Sequence, residues 1–392
     1  MASTSELSVL LVTGAYYPEI SAAGVQCRAA AAALATRVRF GVLTTAVDAA
    51  LPDSAMVDGV PVYRIAVDVR SRLSKTNASL RLVRRLMQIQ REYDIVHLHG
   101  FSQKNVPVTA GARLAGKKVV LTLHTAGQDE PDAVRQSGAI GYRAFTSPDL
   151  VLAVSPWLRN AYLEAVPAAR VRLAPNGIDV SRFRPASPDE RMALRRELGL
   201  PCDLPIILFV GFFSRDKRPD VLFRAWQRAW SERHIDSAIV FVGATEAAYH
   251  EIDSALAREI RADASSRGRG DHVFFVPPTN AIEQYLRAAT IFALPSAREA
   301  HPLALLEAMA CGLPCVASRL PGATDVIIDD GVNGRLTPVD DEQALSAALC
   351  TLVADAERAH RIGARARATI ESRFDIRHTV EAWMDAYRDV LA

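Results

Sequence analysis

Short runs of apolar and β-branched residues alternate with longer stretches of helical period along almost the whole chain. The first series is SVLLVT (8–13), FGVLTT (40–45), DIVHLH (94–99), KVVLTLH (118–124) and LVLAVS (150–155). Near-continuous apolar character marks strands buried on both faces, and strands separated by helical segments predict β-α-β units in parallel sheets. A second series repeats the rhythm: PIILFVG (205–211), SAIVFVG (237–243), HVFFV (272–276), TIFAL (290–294) and PCVAS (314–318). Between the two, Pro175 to Pro205 holds five prolines in 31 residues and reads as a linker. The pattern predicts two doubly wound α/β domains joined near residues 176–200, with ligands where strand C-termini face a crevice. A last amphipathic stretch, 374–391, sets Val380, Trp383, Met384, Tyr387 and Leu391 at helical spacing and is expected to pack on a core.

Length agrees, since 392 residues exceed one ordinary domain of about 150. Forty-six Lys+Arg against 44 Asp+Glu leave a net charge of +2, which argues against a nucleic-acid partner. With 49% hydrophobic and 23% charged residues, a wholly disordered chain is excluded. The longest apolar run, Pro205 to Phe213, is nine residues where a membrane span needs about twenty. The opening MASTSELSVLLV has an acid and no basic n-region, so the expected setting is cytoplasmic. Five scattered cysteines read as reduced, buried thiols.

Several motifs fail on inspection. The turn after the first strand has Gly14 and Gly24 ten apart and no G-x-G-x-x-G. The Gly111 to Lys118 segment lacks the final Ser/Thr of a P-loop and precedes a strand instead of following one. His97 and His99, on a predicted strand, are expected to point to opposite faces and so not to share a metal. Val69 to Arg91 holds seven basic residues and no acid, with Leu80, Val83, Leu86, Met87 and Gln90 as a partly helical stripe. Such a segment suits peripheral contact with anionic lipid or an acidic acceptor, or is simply a solvated helix face over the core.

The informative stretch is 295–318, PSAREAHPLALLEAMACGLPCVAS. Pro302 suits the first turn of a helix and Gly312 its end, which predicts a helix over 302–311 with Glu299 before it and Glu307 upon it. Glu307 lies about 7.5 Å up the axis from Pro302 at 1.5 Å per residue, so the two acids are about 10 Å apart or more. A retaining glycosidase pair needs roughly 5 to 5.5 Å, which disfavours a hydrolytic dyad. The spacing fits an anion at the helix N-terminus with a hydroxyl-rich group on either side for each carboxylate. A nucleotide sugar has that layout, with Glu299 accepting from the sugar and Glu307 from the ribose. The plainer alternative makes both acids solvated helix-end charges.

These residues, with YYPEISAAGV, DIVHLHG, LTLHT, PNGID and VGFFSRDK, resemble the retaining glycosyltransferases that share a Glu-x7-Glu motif, the group 1 or family 4-like enzymes. The resemblance covers almost the whole chain. It implies the α/β GT-B fold, two doubly wound Rossmann-like domains facing each other across a cleft. Residues 1–185 would bind the acceptor, with a helix over 376–392 crossing back to them, and 186–375 would bind the donor. The implied reaction moves a hexosyl group from a UDP- or GDP-sugar to a hydroxyl acceptor, with no metal and no cofactor besides the donor. The acceptor would be a sugar, a lipid-linked glycan or a small molecule. His124, Lys217 and Glu299 match catalytic positions, while Gly24, Gly211, Arg215, His301, Leu303, Ala304 and Glu307 match or neighbour donor-binding ones. Asn176 and Asp179 match a hinge signature. Two departures stand out: Phe212 replaces the usual Arg after Val-Gly, leaving Arg215 as the nearest guanidinium, and Glu299-Ala-His301-Pro302-Leu303 replaces Glu-Gly-Phe-Gly-Leu. They suggest one alternative, a non-catalytic nucleotide-sugar-binding subunit; a second, a nucleotide-sugar epimerase of the same architecture, leaves the Glu299/Glu307 block without an explanation.

Overall fold

The computed structural model describes residues 7–245 and 252–392, so the reading of the first six residues lies outside the described part. Two compact units emerge, one made of residues 1–177 with 376–392 and the other of 178–375.

The first unit holds β1 (Leu7–Thr13), β2 (Val38–Ala46), β3 (Ser54–Val57), β4 (Val60–Ala66), β5 (Ile95–His99), β6 (Lys118–Leu123), β7 (Leu150–Ala153) and β8 (Val171–Leu173). Their order in the sheet is β3-β4-β2-β1-β5-β6-β7-β8. All pairs are parallel except the β3–β4 hairpin at the edge, which the hydrophobic pattern missed. The second unit holds β9 (Ile206–Val210), β10 (Ala238–Val242), β11 (Val273–Val276), β12 (Ile291–Leu294), β13 (Cys315–Ser318) and β14 (Arg335–Thr337). This parallel sheet is ordered β11-β10-β9-β12-β13-β14. In each sheet the chain reverses its direction of travel once, between β1 and β5 and between β9 and β12. Those reversals are the topological switch points where doubly wound sheets bind ligands, beyond the strand C-termini.

The cores explain the apolar runs. Along β9, Ile206 and Leu208 enter one cluster with Leu305, Leu306 and Met309, whereas Ile207 and Phe209 enter another with Trp226 and Leu349. The period of two thus feeds both faces, as a helix-covered parallel sheet requires.

The terminal helix Ile376–Leu391 packs in the first unit's core through Val380, Trp383, Met384 and Tyr387. Leu391 belongs to the stretch but is exposed. The boundary expected at 185/186 falls instead after Gly177, because Ile178 and Phe183 are buried in the second unit's core. Gly177 sits where a Cβ would come 2.4 Å from Thr379 Oγ1 and 2.7 Å from Ile376 Cα, so no side chain fits there. Asp179 folds the following turn by accepting from the amides of Ser181 and Arg182. Among the described residues no helix is long and apolar enough to cross a membrane.

Candidate active site

In the second unit the expected residues gather at the β9/β12 switch point. Gly211 follows β9 and begins the loop that carries Lys217, whose amide bonds Ser214 Oγ. Ala297, just beyond β12, donates its amide to Asp216 O at 2.7 Å, and Arg298 pairs with Asp216 at 2.6 Å. These bonds stitch the two strand-end loops together. Across them Lys217 Nζ donates to Glu299 Oε1 at 2.7 Å, and Ser296 Oγ donates to the same oxygen at 2.7 Å. Glu299 keeps only 7% of its side chain exposed and Lys217 keeps 30%. Ser296 is fully buried and was not singled out by the sequence, although it stands in the Pro-Ser pair that precedes the motif.

The next helix, Leu303–Ala310, is shorter by a residue at each end than expected. Pro302 is its N-cap, with φ −72° and ψ 113°, and no side chain caps the end. The first bond back to the cap runs from Leu306 N to Pro302 O at 3.3 Å. The amides of Leu303 and Ala304 therefore precede the intrahelical ladder, where the dipole also favours an anion. The Leu303 side chain is in the core, whereas Ala304 is half-buried.

Glu307, one turn along, is 7% exposed, and its carboxyl accepts no hydrogen bond among the described residues. Burial pushes its carboxyl up to about 8, opposed by Arg182 and helped by Glu283. His301 is buried with its ring 5.2 Å from that of Phe374. Burial, with Arg373 nearby, lowers its pKa to about 3, so its ring is neutral. Arg215 is not drawn into the cluster's hydrogen bonds, since its exposed guanidinium pairs with Asp253 at 3.1 Å.

The first unit carries the other residues near its own switch point. His124 follows β6, and its Nε2 lies 3.0 Å from Nδ1 of His99 at the end of β5. Burial lowers His124 to about 4 and His99 well below the usual imidazole range, so both rings are neutral. His97 and His99 do not diverge as expected. Residues two apart on a strand share a face, and their ring centroids are 4.1 Å apart. His97 is satisfied by Tyr387 Oη at 2.8 Å and Thr122 Oγ1 at 2.6 Å, a role within the core.

Asp129, also unforeseen, is buried and binds three amides: Phe101 at 2.6 Å, His124 at 2.7 Å and Thr125 at 2.9 Å. One carboxylate thus fixes the loops after β5 and β6 to each other. Burial raises its pKa to about 6, against the pull of those three donors.

Gly24 lies in the first turn of the helix Ala22–Ala33. Its amide bonds Ser21 Oγ at 3.0 Å, and a Cβ would sit 2.4 Å from Ala15 O. Packing of the helix start on the loop after β1 already demands glycine there. Among the described residues no three His, Cys, Asp or Glu side chains come together as a metal cage.

Comparison with known proteins matches each unit to a family profile. That of the "Glycosyltransferase Family 4" covers residues 23–182, and that of the "Glycosyl transferases group 1" covers 190–369. A D-inositol 3-phosphate glycosyltransferase of Acidothermus cellulolyticus is 32% identical over 316 residues, 76% of this chain and 68% of that protein. An alpha-maltose-1-phosphate synthase of Mycolicibacterium smegmatis is 33% identical over 301 residues, 71% of this chain and 75% of that protein. The fold is shared with Anabaena Alr3699/HepE, crystallised with UDP and glucose, at a TM-score of 0.78 and 21% identity over 98% of this chain and all of that one. It is shared too with a sucrose-phosphate synthase from Thermosynechococcus elongatus, at a TM-score of 0.79 and 21% identity over 98% and 99% of the two chains.

Proposed function

This chain belongs to the group 1 glycosyltransferases, and on that footing we propose that it moves a hexosyl group from a UDP- or GDP-sugar to a hydroxyl acceptor with retention at the anomeric carbon. The second unit would hold the donor and the first the acceptor. The observation that carries the reading is the cluster at the second switch point: Lys217, Ser296 and Glu299 bonded together, followed by an uncapped helix end and the buried Glu307.

Each part has a use. Lys217 and Ser296 both occupy Glu299 Oε1, which leaves Oε2 to accept from sugar hydroxyls. One of the three ammonium protons of Lys217 is spent on Glu299, so two remain for phosphate oxygens. The Leu303 and Ala304 amides add donors aimed by the helix dipole. Departure of a nucleoside diphosphate builds negative charge, and donors fixed in place before the reaction are the strongest means of stabilising it. Glu307 would take the ribose hydroxyls. In the first unit His124, its Nε2 held by His99, would meet the transferred sugar through its other ring nitrogen.

The same assignment gives charge neutralisation to protein groups without a resident cofactor, so turnover should persist in a metal chelator. The deciding experiment follows the anomeric proton of the product by NMR with UDP-glucose or GDP-mannose as the donor. An α-donor should yield an α-linked product at the earliest time points, and a β-linked product would refute retention.

A further inference from the structure

The basic segment 69–91 plays no part in the reaction above, and its structure differs from the stripe expected of it. In the helix Arg72–Ile89 the buried face is Ala78, Leu82, Leu86 and Ile89. Leu80 and Met87, which the sequence sets in one stripe with Leu86, point outward with Leu73, and the three are 64%, 45% and 84% exposed. They follow at intervals of seven, so they fall within about 40° of one another on the helix and form a row about 21 Å long. Single exposed apolar residues are ordinary on a protein surface; a row along the helix opposite its packed face serves no core.

The charges around the row have one sign. Arg72, Arg84 and Arg91 are exposed and form no ion pair among the described residues, and Arg81 approaches Asp53 only at 3.9 Å; Lys75 falls on the packed side of the helix. Arg85 differs, being held to its own unit by Ser54 Oγ and the Tyr63 ring. No acid occurs from Val69 to Arg91. We propose that this helix rests on an anionic lipid surface, its Leu73–Leu80–Met87 row entering the boundary between headgroups and acyl chains while the flanking cations meet phosphates. An exposed apolar row beside exposed cations, with no acid from Val69 to Arg91, has the make-up of a helix that lies in the headgroup boundary of an anionic membrane. The proposal is independent of the donor reading and stands whether or not a sugar is moved.

Co-sedimentation of the full chain with vesicles tests it, using phosphatidylcholine alone and phosphatidylcholine mixed with phosphatidylglycerol. The wild type should sediment with the mixed vesicles only, and less as salt is raised. Arg84→Ala with Arg91→Ala should weaken binding about 25-fold, at about fivefold for each basic residue near the surface. Leu73→Ser with Leu80→Ser should weaken it further while leaving circular dichroism and Tm unchanged, because both side chains are exposed. Equal binding to neutral vesicles, absence of binding, or variants that bind like the wild type would overturn the proposal. So would a dimer in size exclusion that Leu80→Ser dissolves, since a second copy would then cover the row.

Discussion

Because burial lifts the Glu307 carboxyl to about 8, the side chain is largely protonated near neutral pH. If ribose hydroxyls donate to it, donor binding favours the ionised form and must release a proton. Donor Kd should therefore fall as pH rises from about 7 to 9 and then level off. A titration by calorimetry in two buffers of different ionisation enthalpy would register the proton, and Glu307→Gln should show neither effect. Folding stability carries the opposite sign. The folded chain keeps a proton that an exposed glutamate loses near 4.5, so this residue's contribution to stability declines as pH rises from about 4.5 to 8. Comparing wild type with Glu307→Gln isolates that contribution.

At Lys217 the expected effect is kinetic. Lys217→Ala should lower kcat by roughly 10² to 10³, the scale for losing one stabiliser of transition-state charge, whereas Glu307→Ala should mainly raise the donor KM. Steady-state kinetics on folded variants separates the two; unchanged kinetics would remove both residues from the mechanism. Lys217, Glu299 and Glu307 were legible because each sits in a local motif. Asp129 and Ser296 were not, since their worth lies in bonds to loops that only the folded sheet brings near, and an isolated Asp or Ser in a sequence gives no sign of them.

The strands were the easiest elements to foresee, because burial on both faces leaves an unbroken apolar run such as Ile206–Val210. The Ser54–Val57 and Val60–Ala66 hairpin escaped notice because the edge strand Ser54–Val57 is short and has no buried residue. Within Val69 to Arg91 the helix spans Arg72–Ile89, and the expected stripe divides, with Leu86 buried and Leu80 and Met87 exposed: apolar residues lie on both sides, and periodicity alone cannot say which side meets the core. The terminal helix had a single apolar face and packs as expected except at Leu391, which is exposed. Trp383 there is 1% exposed, against His97 at 4.8 Å and Tyr387 at 6.4 Å between ring centroids. Trp383→Ala should cost about 3 to 5 kcal/mol, measurable by urea unfolding. A loss under 1 kcal/mol would mean that this helix is dispensable to the first unit's core.

On the scale of the whole molecule, two sheets of the same plan each reverse once, and the residues expected to do chemistry stand beyond those reversals. The fold was predictable from rhythm and linker, but fold alone does not select a reaction. The Glu299-x7-Glu307 block, read with a helix end between its acids, made the selection, and family membership supports it. With Phe212 after Gly211, Lys217 is the cation bonded to Glu299, and under the proposed function the donor diphosphate would rest on that side chain and the uncapped helix end. A crystal structure of the chain with UDP-glucose measures this most directly. The account predicts diphosphate oxygens within hydrogen-bond distance of Lys217 Nζ and the Leu303 or Ala304 amides, with glucose on Glu299 and ribose on Glu307. A diphosphate bound elsewhere, with Lys217 still closed on Glu299, would contradict it.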